Sequence, residues 1–419
     1  MNDSIEFSWN RLRERLWFKP LVASVLSVCG AFVAKSLDVS ALGDHLPDIQ
    51  PETNKTLLSI MASSMLVIAT FAVASMVSAY ASASNTATPR SFPLVVADDV
   101  SQNALSSFIG AFIFSIVSLV AVTNGYYGNA GQFVVFALTM LVFTWVVLTF
   151  VRWVDQIARL GRLGNVIEKV ESATAASLER RHRHPALGAR PLTEDPGGKP
   201  VYADQVGYVQ QIDVGALQTV AEQNEIEIAV AAVPGTFVTP DQPLALVDGD
   251  PGEPQPLRDA FRIGDSRVFD DDPRCGLVVL SEIAARALSP AVNDPGTAID
   301  IIGTFVRLFA DWVEPLEEEN DEEIRYDRIA VPALSISDMF DDAFTSIARD
   351  GAGIIEVQVR LQKAFRALDA LDDERLSAAA MKHSARALDR ASGTLQLEEE
   401  IEALRDIAIA PAGADNRNQ

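Results

Sequence analysis

The sequence predicts an α-helical transmembrane bundle of four spans, joined to a cytoplasmic α+β domain with a small β half-barrel and a helical C-terminal part. Three observations predict it. Long uncharged apolar runs fill the first 155 residues, acids crowd the remainder, and the later sequence alternates strand-like and amphipathic helical patterns. Hydrophobic residues are 48% of 419 while the net charge is -23, a pairing that requires the apolar and acidic residues to be segregated. At this length more than one domain is expected, since a single core stops growing sooner. The divisions read as a transmembrane domain 1–155, a helical linker with a basic cluster 156–200, an α+β domain 201–312, a helical part 313–410 and a frayed tail 411–419.

The acidic balance excludes nucleic acid as a partner, because its phosphates must be met by clustered Lys and Arg. Cys29 lies in an apolar run and Cys275 in the polar half, so the two cysteines make no disulfide framework. The four histidines, His45, His182, His184 and His383, lack the i+3 or i+4 spacing of helical metal ligands. No cofactor is implied.

Crossing ~30 Å of hydrocarbon takes about 20 mostly apolar residues, because the backbone must satisfy its own hydrogen bonds there. Four segments meet this, at about 16–34, 57–84, 104–122 and 132–151. The first is the weakest, shortened by Lys19 and Pro20, although Lys19 can snorkel and Trp17 suits an interface. A cleaved signal peptide fits it less well, since "AFVAKSLDVS" lacks a small-x-small cleavage site. Arg11, Arg13, Arg15 and Lys19 flank the first span, and Arg152, Arg159, Arg162 and Lys169 follow the fourth. Both termini are therefore expected to be cytoplasmic.

The second span, "LLSIMASSMLVIATFAVASMVSAYASAS", carries the most chemistry. At 100° per residue Ser64, Ser75, Ser78 and Ser82 fall within an arc of about 60°, with Phe71 interrupting the stripe. Small residues on one face allow close helix packing, and hydroxyls can bond back to carbonyls. The other reading makes these four serines pore-lining, with hydroxyls replacing part of an ion's hydration. No Asp, Glu or His lies inside the last three spans, where coupled pumps place such groups, so passive flow is the more natural mechanism.

Residues 160–179 read as a helix continuing from the fourth span. "RRHRHP" at 180–185 is either a solvated linker or a contact for anionic lipid through Arg180, Arg181 and Arg183, and "PGGKP" at 196–200 marks a boundary. Strand "GYVQQID" and helix "VGALQTVAEQNE" follow. In residues 226–247 two strands are joined by Pro234-Gly235 and Pro240-Asp241, like a half-barrel of the hammerhead type. That segment has no lysine, which excludes attached biotin or lipoate.

"RALSPAVNDPGTAID", residues 286–300, reads as a helix-turn-helix corner. Pro290 pushes the preceding residue out of helical geometry, Asn293 suits a turn, and Asp294 can cap a helix with Pro295 at its first position. A ligand or subunit contact at Arg286, Ser289, Asn293, Asp294 and Thr297 is the alternative, because helix N-termini hold anions. Asp270, Asp271 and Asp272 are weak metal candidates, since alternate spacing suits calcium loops better. Residues 314–323 read as a solvated acidic loop and 324–336 as a strand. Three or four amphipathic helices complete the chain, with Ile354, Val357, Leu361, Phe365 and Leu368 on one apolar face.

"RLRERLWFKP", "TLLSIMASSM", "TPR" at 88–90, "GYVQQID", "GTFV" and above all "RALSPAVNDPGTA" together resemble the bacterial domain-of-unknown-function 2254 (DUF2254) predicted membrane proteins. The resemblance runs over nearly the whole chain. Where the family pattern is Arg-Thr-x-x-Gln-Asp-x-x-Phe-Gly, this sequence has Arg267, Val268, Asp271, Asp272, Cys275 and Gly276, departing at 268, 271 and 275. Membership implies four membrane helices and a cytoplasmic domain and supplies no activity; the expected location is the bacterial inner membrane.

The residues favour a homo-oligomeric channel or channel-like protein in the lipid bilayer, gated by a cytoplasmic sensor domain. A membrane-anchored scaffold or receptor is the alternative. An enzyme ranks third, since no nucleophile-base pair, Walker loop or dinucleotide fingerprint occurs.

Overall fold

The computed structural model describes residues 18–37, 47–96, 98–193, 197–250, 252–314 and 324–409. The arginines expected before the first span, most of the acidic loop and the tail lie outside these residues. The chain divides into two compact units, Met1–Val166 and Ile167–Gln419.

The first unit holds α1 (Phe18–Leu37), α2 (Pro51–Thr86), a short 3-10 turn (Pro89–Ser91), α3 (Phe92–Val96), α4 (Asp99–Thr123) and α5 (Asn129–Leu160). α2 starts ahead of its apolar run because Pro51 occupies the first turn, where its missing N–H costs nothing. α4 is capped by Asp98, whose carboxylate accepts the Ser101 N–H at 3.0 Å. Among the described residues three helices are long and apolar enough to cross a membrane, over Pro51–Ser84, Asp99–Thr123 and Asn129–Leu160. In α1 the apolar stretch is shorter, Phe18–Gly30, and the expected Leu16 and Trp17 lie outside the described residues.

α4 packs against α1, α2 and α5. The core between them includes Leu58, Met65, Ala72, Phe108, Phe114, Val146 and Trp153. Gly110 lets α1 approach, since a Cβ there would meet Ala23 and Ser27 at 3.2 Å. The outer faces are apolar, with Leu66, Val67, Val77, Leu141, Trp145 and Leu148 exposed. An apolar surface that continuous suits lipid. Two polar clasps bracket it: Asn54 Nδ2 donates to Gln132 O and Oε1 at 2.9 and 2.8 Å, and Gln156 Nε2 donates to Asp98 Oδ1 at 2.8 Å. Gln132 and Gln156 stand ~36 Å apart along α5 at 1.5 Å per residue, a little more than a hydrocarbon core. α1 is held at both ends, by Lys19 on Asp99 and by Lys35 Nζ on Tyr126 O at 2.7 Å.

α6 (Leu163–Arg183) does not continue α5: the helix stops at Gly161 and a new one begins. In the second unit α6 is followed by β1 (Ala189–Pro191), β2 (Lys199–Tyr202), β3 (Gly207–Ile212), α7 (Val214–Asn224), β4 (Glu227–Val230), β5 (Phe237–Val238), β6 (Pro243–Asp248), α8 (Gln255–Asp259) and β7 (Phe261–Gly264). Then come α9 (Pro273–Ala287), α10 (Pro295–Val313), β8 (Tyr326–Val331), α11 (Ile336–Asp350), α12 (Ile355–Asp369), α13 (Glu374–Ser392) and α14 (Glu398–Ile407).

The strands form a five-stranded mixed sheet, order β1-β8-β4-β6-β2, and a three-stranded one, order β5-β3-β7. β8 pairs parallel to both β1 and β4, and the remaining pairs are antiparallel. The expected half-barrel of 226–247 is therefore divided between two sheets. Gly235, at φ +92, redirects the chain so that β5 pairs with β3 while β4 and β6 pair with each other. The sheet core includes Val209, Leu217, Ile228, Val247 and Ile329, all buried. The helical part packs Phe305, Phe309, Phe340, Phe344 and Phe365 together, with ring centroids 4.6 to 6.0 Å apart. Val357, Leu361, Phe365 and Leu368 are buried as one face of α12.

Candidate functional site

Several hydroxyls of α2 bond back to the helix. Ser63 and Thr70 are exposed and bond back to carbonyls, Ser63 to Ser59 O and Ile60 O at 2.9 and 3.0 Å, Thr70 to Leu66 O and Val67 O at 3.0 and 2.8 Å. That is how a lipid-facing hydroxyl satisfies itself. Ser64 and Ser78 are exposed and Ser75 half-buried, and none of the three donates to a described residue. Ser82 reaches Gly161 O at 3.4 Å.

Ser75, Ser78 and Ser82 line one open groove of ≈ 470 Å³, completed by Ala74, Ile157 and Ala158 among others. Gly161 lines it beside Ser82, and a Cβ there would stand in ordinary contact, 3.4 Å from Ser82 Cβ. Ser64 shares the helix face but lies outside the groove. Phe71 stands between, exposed and edge-on to Trp153 with centroids 6.2 Å apart.

In the second unit the corner between α9 and α10 is closed by its own residues. Ser289 Oγ donates to Arg286 O at 2.6 Å, and Asp294 N to Ala287 O at 2.8 Å. Asn293 takes the left-handed conformation, φ +51. Asp294 then caps α10, accepting Thr297 N at 3.2 Å and Thr297 Oγ1 at 2.6 Å. Arg286 is exposed beside them.

The three successive acids diverge. Asp270 is exposed, while its carbonyl accepts from Ser177 and Arg180. Burial pushes the Asp271 carboxyl up, Asp270 adds to this, and Arg180 and Arg181 oppose it. Asp272 is buried, caps α9 through the Cys275 N–H at 3.1 Å and pairs with Arg267. Among the described residues no three His, Cys, Asp or Glu side chains gather as a metal site. Arg180, Arg181, His182 and Arg183 form the last turn of α6, and Arg181 is buried with Nη2 on Pro332 O at 2.9 Å. Arg183 pairs with Glu179.

Sequence reasoning missed two groups. One is the pair of polar clasps, signalled only by amides at the ends of apolar runs. The other is Arg274, which bridges Asp342 at 2.6 Å and Asp338 at 3.0 Å. Burial pushes the Asp342 carboxyl up, and the Arg274 bond pulls against it.

The family described as Predicted membrane protein (DUF2254) matches residues 13–367. The chain belongs to that family. The DUF2254 match covers the bundle, both sheets and the α9–α10 corner, and it stops inside α12. An uncharacterized protein of Mycobacterium bovis and one of Mycobacterium tuberculosis are each 28% identical to the chain over 153 residues, 34% of this chain and 29% of theirs. The chain thus spans less than a third of the length of these curated relatives. No solved structure matches it.

Proposed function

We propose that this DUF2254 protein is a homo-oligomeric channel or channel-like protein of the bacterial inner membrane. It has four spans, with α1 as the first, and both termini in the cytoplasm. The α2 face bearing Ser64, Ser75, Ser78 and Ser82 lines the conduction path, and the second unit senses an intracellular signal at the α9–α10 corner. One observation carries the reading: where Thr56, Ser63 and Thr70 on this helix bond back to the backbone, the hydroxyls of Ser64, Ser75 and Ser78 on the serine face do not. A hydroxyl in that condition needs water or a partner, because hydrocarbon supplies neither. With no fixed charge on this face, the path is a passive one.

The groove contact between Ser82 and Gly161 favours a second reading, in which the face only packs and the bundle anchors a scaffold or receptor. Conductance of the purified oligomer in planar bilayers separates the two. Current is expected under voltage, calcium or pH variation, and Ser75→Leu or Ser78→Leu reduces it. Absence of current under all three conditions, or unchanged current in both variants, removes the channel reading.

A further inference from the structure

Three basic side chains of α12 stand apart from the rest of the helical part. On α11–α14 the other Lys and Arg side chains are held, Arg349 by Asp350, Arg386 by Asp341 and Arg405 by Glu398 among them. Arg360, Lys363 and Arg366 are all exposed, about one turn apart, and none pairs with a described residue. Glu356, exposed one turn earlier, pairs with none of them either. In a chain of net charge -23 acids are not scarce, so placement and not supply leaves these bases bare.

α14 carries the counterpart. Glu399, Glu402 and Asp406 are exposed, fall within an arc of about 60° at 100° per residue, and likewise pair with no described residue. At 1.5 Å per residue the acids span ~10 Å and the bases ~9 Å, so the rows match in length. α12 and α14 pack on each other, yet no ion pair joins the two rows within one copy. Ala367 and Ala403, both exposed on these faces, leave room for a second helix to approach. We propose that the α12 bases of one copy dock on the α14 acids of a second copy of this chain. Exposed ion pairs are individually weak, and complementary charge selects the partner more than it adds affinity. The interface lies within the second unit and does not rest on the channel reading.

Cross-linking of the full chain in membranes tests this. In a Cys29→Ser background, a chain carrying Ala367→Cys is co-expressed with a differently tagged chain carrying Ala403→Cys, and mild oxidation should join the two tags. Raising NaCl to about 0.5 M screens exposed charges and should lower the yield severalfold. Arg360→Glu with Lys363→Glu in the first chain should cut the yield about tenfold, and adding Glu399→Lys with Glu402→Lys in the second should restore it, since the charges again oppose. No link between the unreversed rows, or a yield indifferent to the base reversal, overturns the proposal. So does a loss that acid reversal leaves unrestored, the result expected of bases that serve anionic lipid. A bundle that associates through α2 alone gives no such link, so the two readings fail separately.

Discussion

Arg267 grips Asp272 with two guanidinium nitrogens, at 2.6 and 2.9 Å, and the carboxylate lies against Gly235, where a Cβ would stand 2.5 Å from Oδ2. Burial pulls the Arg267 pKa down, but the bond to Asp272 and its charge outweigh that, and the net direction is up. Asp272 is 2% exposed and also caps α9. One carboxylate therefore ties the loop after β7, the start of α9 and the turn before β5.

Removing one member of a buried pair leaves the other charge uncompensated, which costs about 3–5 kcal/mol. Arg267→Ala should accordingly destabilise the full chain more than Arg267→Met paired with Asp272→Asn. Thermal unfolding in detergent checks the order. Equal losses would mean that the pair is solvated.

Gly235 is at φ +92, a conformation that side chains rarely adopt. Gly235→Ala thus combines backbone strain with a clash against Asp272, and a loss of at least ~2 kcal/mol is expected. Asp272→Ala in the same chain removes the clash but not the strain, so the two losses should be less than additive. The same unfolding measurement reads it.

The bundle was legible because lipid requires contiguous apolar residues, a demand that hydropathy reports directly. The α12 face was legible because Val357, Leu361, Phe365 and Leu368 repeat at helical spacing. The sheet was not. β4 finds a parallel partner in β8, Ile228 opposite Ile329, and no local pattern announces a strand so distant in sequence. β5 is only two residues, and its departure to β3 depends on a single glycine turn. Arg267 and Asp272 meet across a loop without periodicity, while three adjacent acids suggested only a weak metal site. Nothing in the sequence singles out Asn54 or Gln156, since an isolated amide does not indicate its partner.

His383 is buried among Phe340, Phe344 and Phe365. Its Nε2 stands 3.3 Å from an Asp341 oxygen without hydrogen-bond alignment. Burial lowers its pKa from 6.5 to about 4, with Asp341 opposing and Arg386, Lys382 and Arg390 assisting. The unfolded chain therefore binds the proton more readily. The stabilisation, on the order of 2 kcal/mol, is complete above the unfolded pKa of 6.5 and is lost as pH falls toward 4. His383→Leu should flatten the difference in unfolding midpoint between pH 7 and pH 4.5. An unchanged difference would assign it to carboxylates elsewhere.

At the α9–α10 corner, cap and turn can be tested separately. Asp294→Ala removes the acceptor of Thr297 N and Oγ1 and should cost about 1 kcal/mol. Asn293 at φ +51 tolerates glycine, so Asn293→Gly should change stability by less than ~0.5 kcal/mol, while a β-branched Val at that φ costs more than ~1 kcal/mol. If the corner also senses a ligand, Asn293→Gly keeps the fold and alters channel response alone.

Asn54 gives its amide to both the backbone and the side chain of Gln132, and Asn54 Oδ1 is buried without a partner. Among apolar neighbours such a bond should hold α2 to α5, yet hydrogen bonds between membrane helices contribute only about 0.6–2 kcal/mol, because the unfolded chain in lipid also finds partners. Asn54→Leu and Gln132→Leu are each expected to destabilise by an amount in that range. Only the side-chain part of the interaction vanishes in Gln132→Leu, since Asn54 retains the 132 carbonyl. The double variant should therefore lose less than the sum of the single ones, with Asn54→Leu the larger single loss. Strict additivity in a double-mutant cycle, read by unfolding in mixed micelles, would show that the two residues act independently.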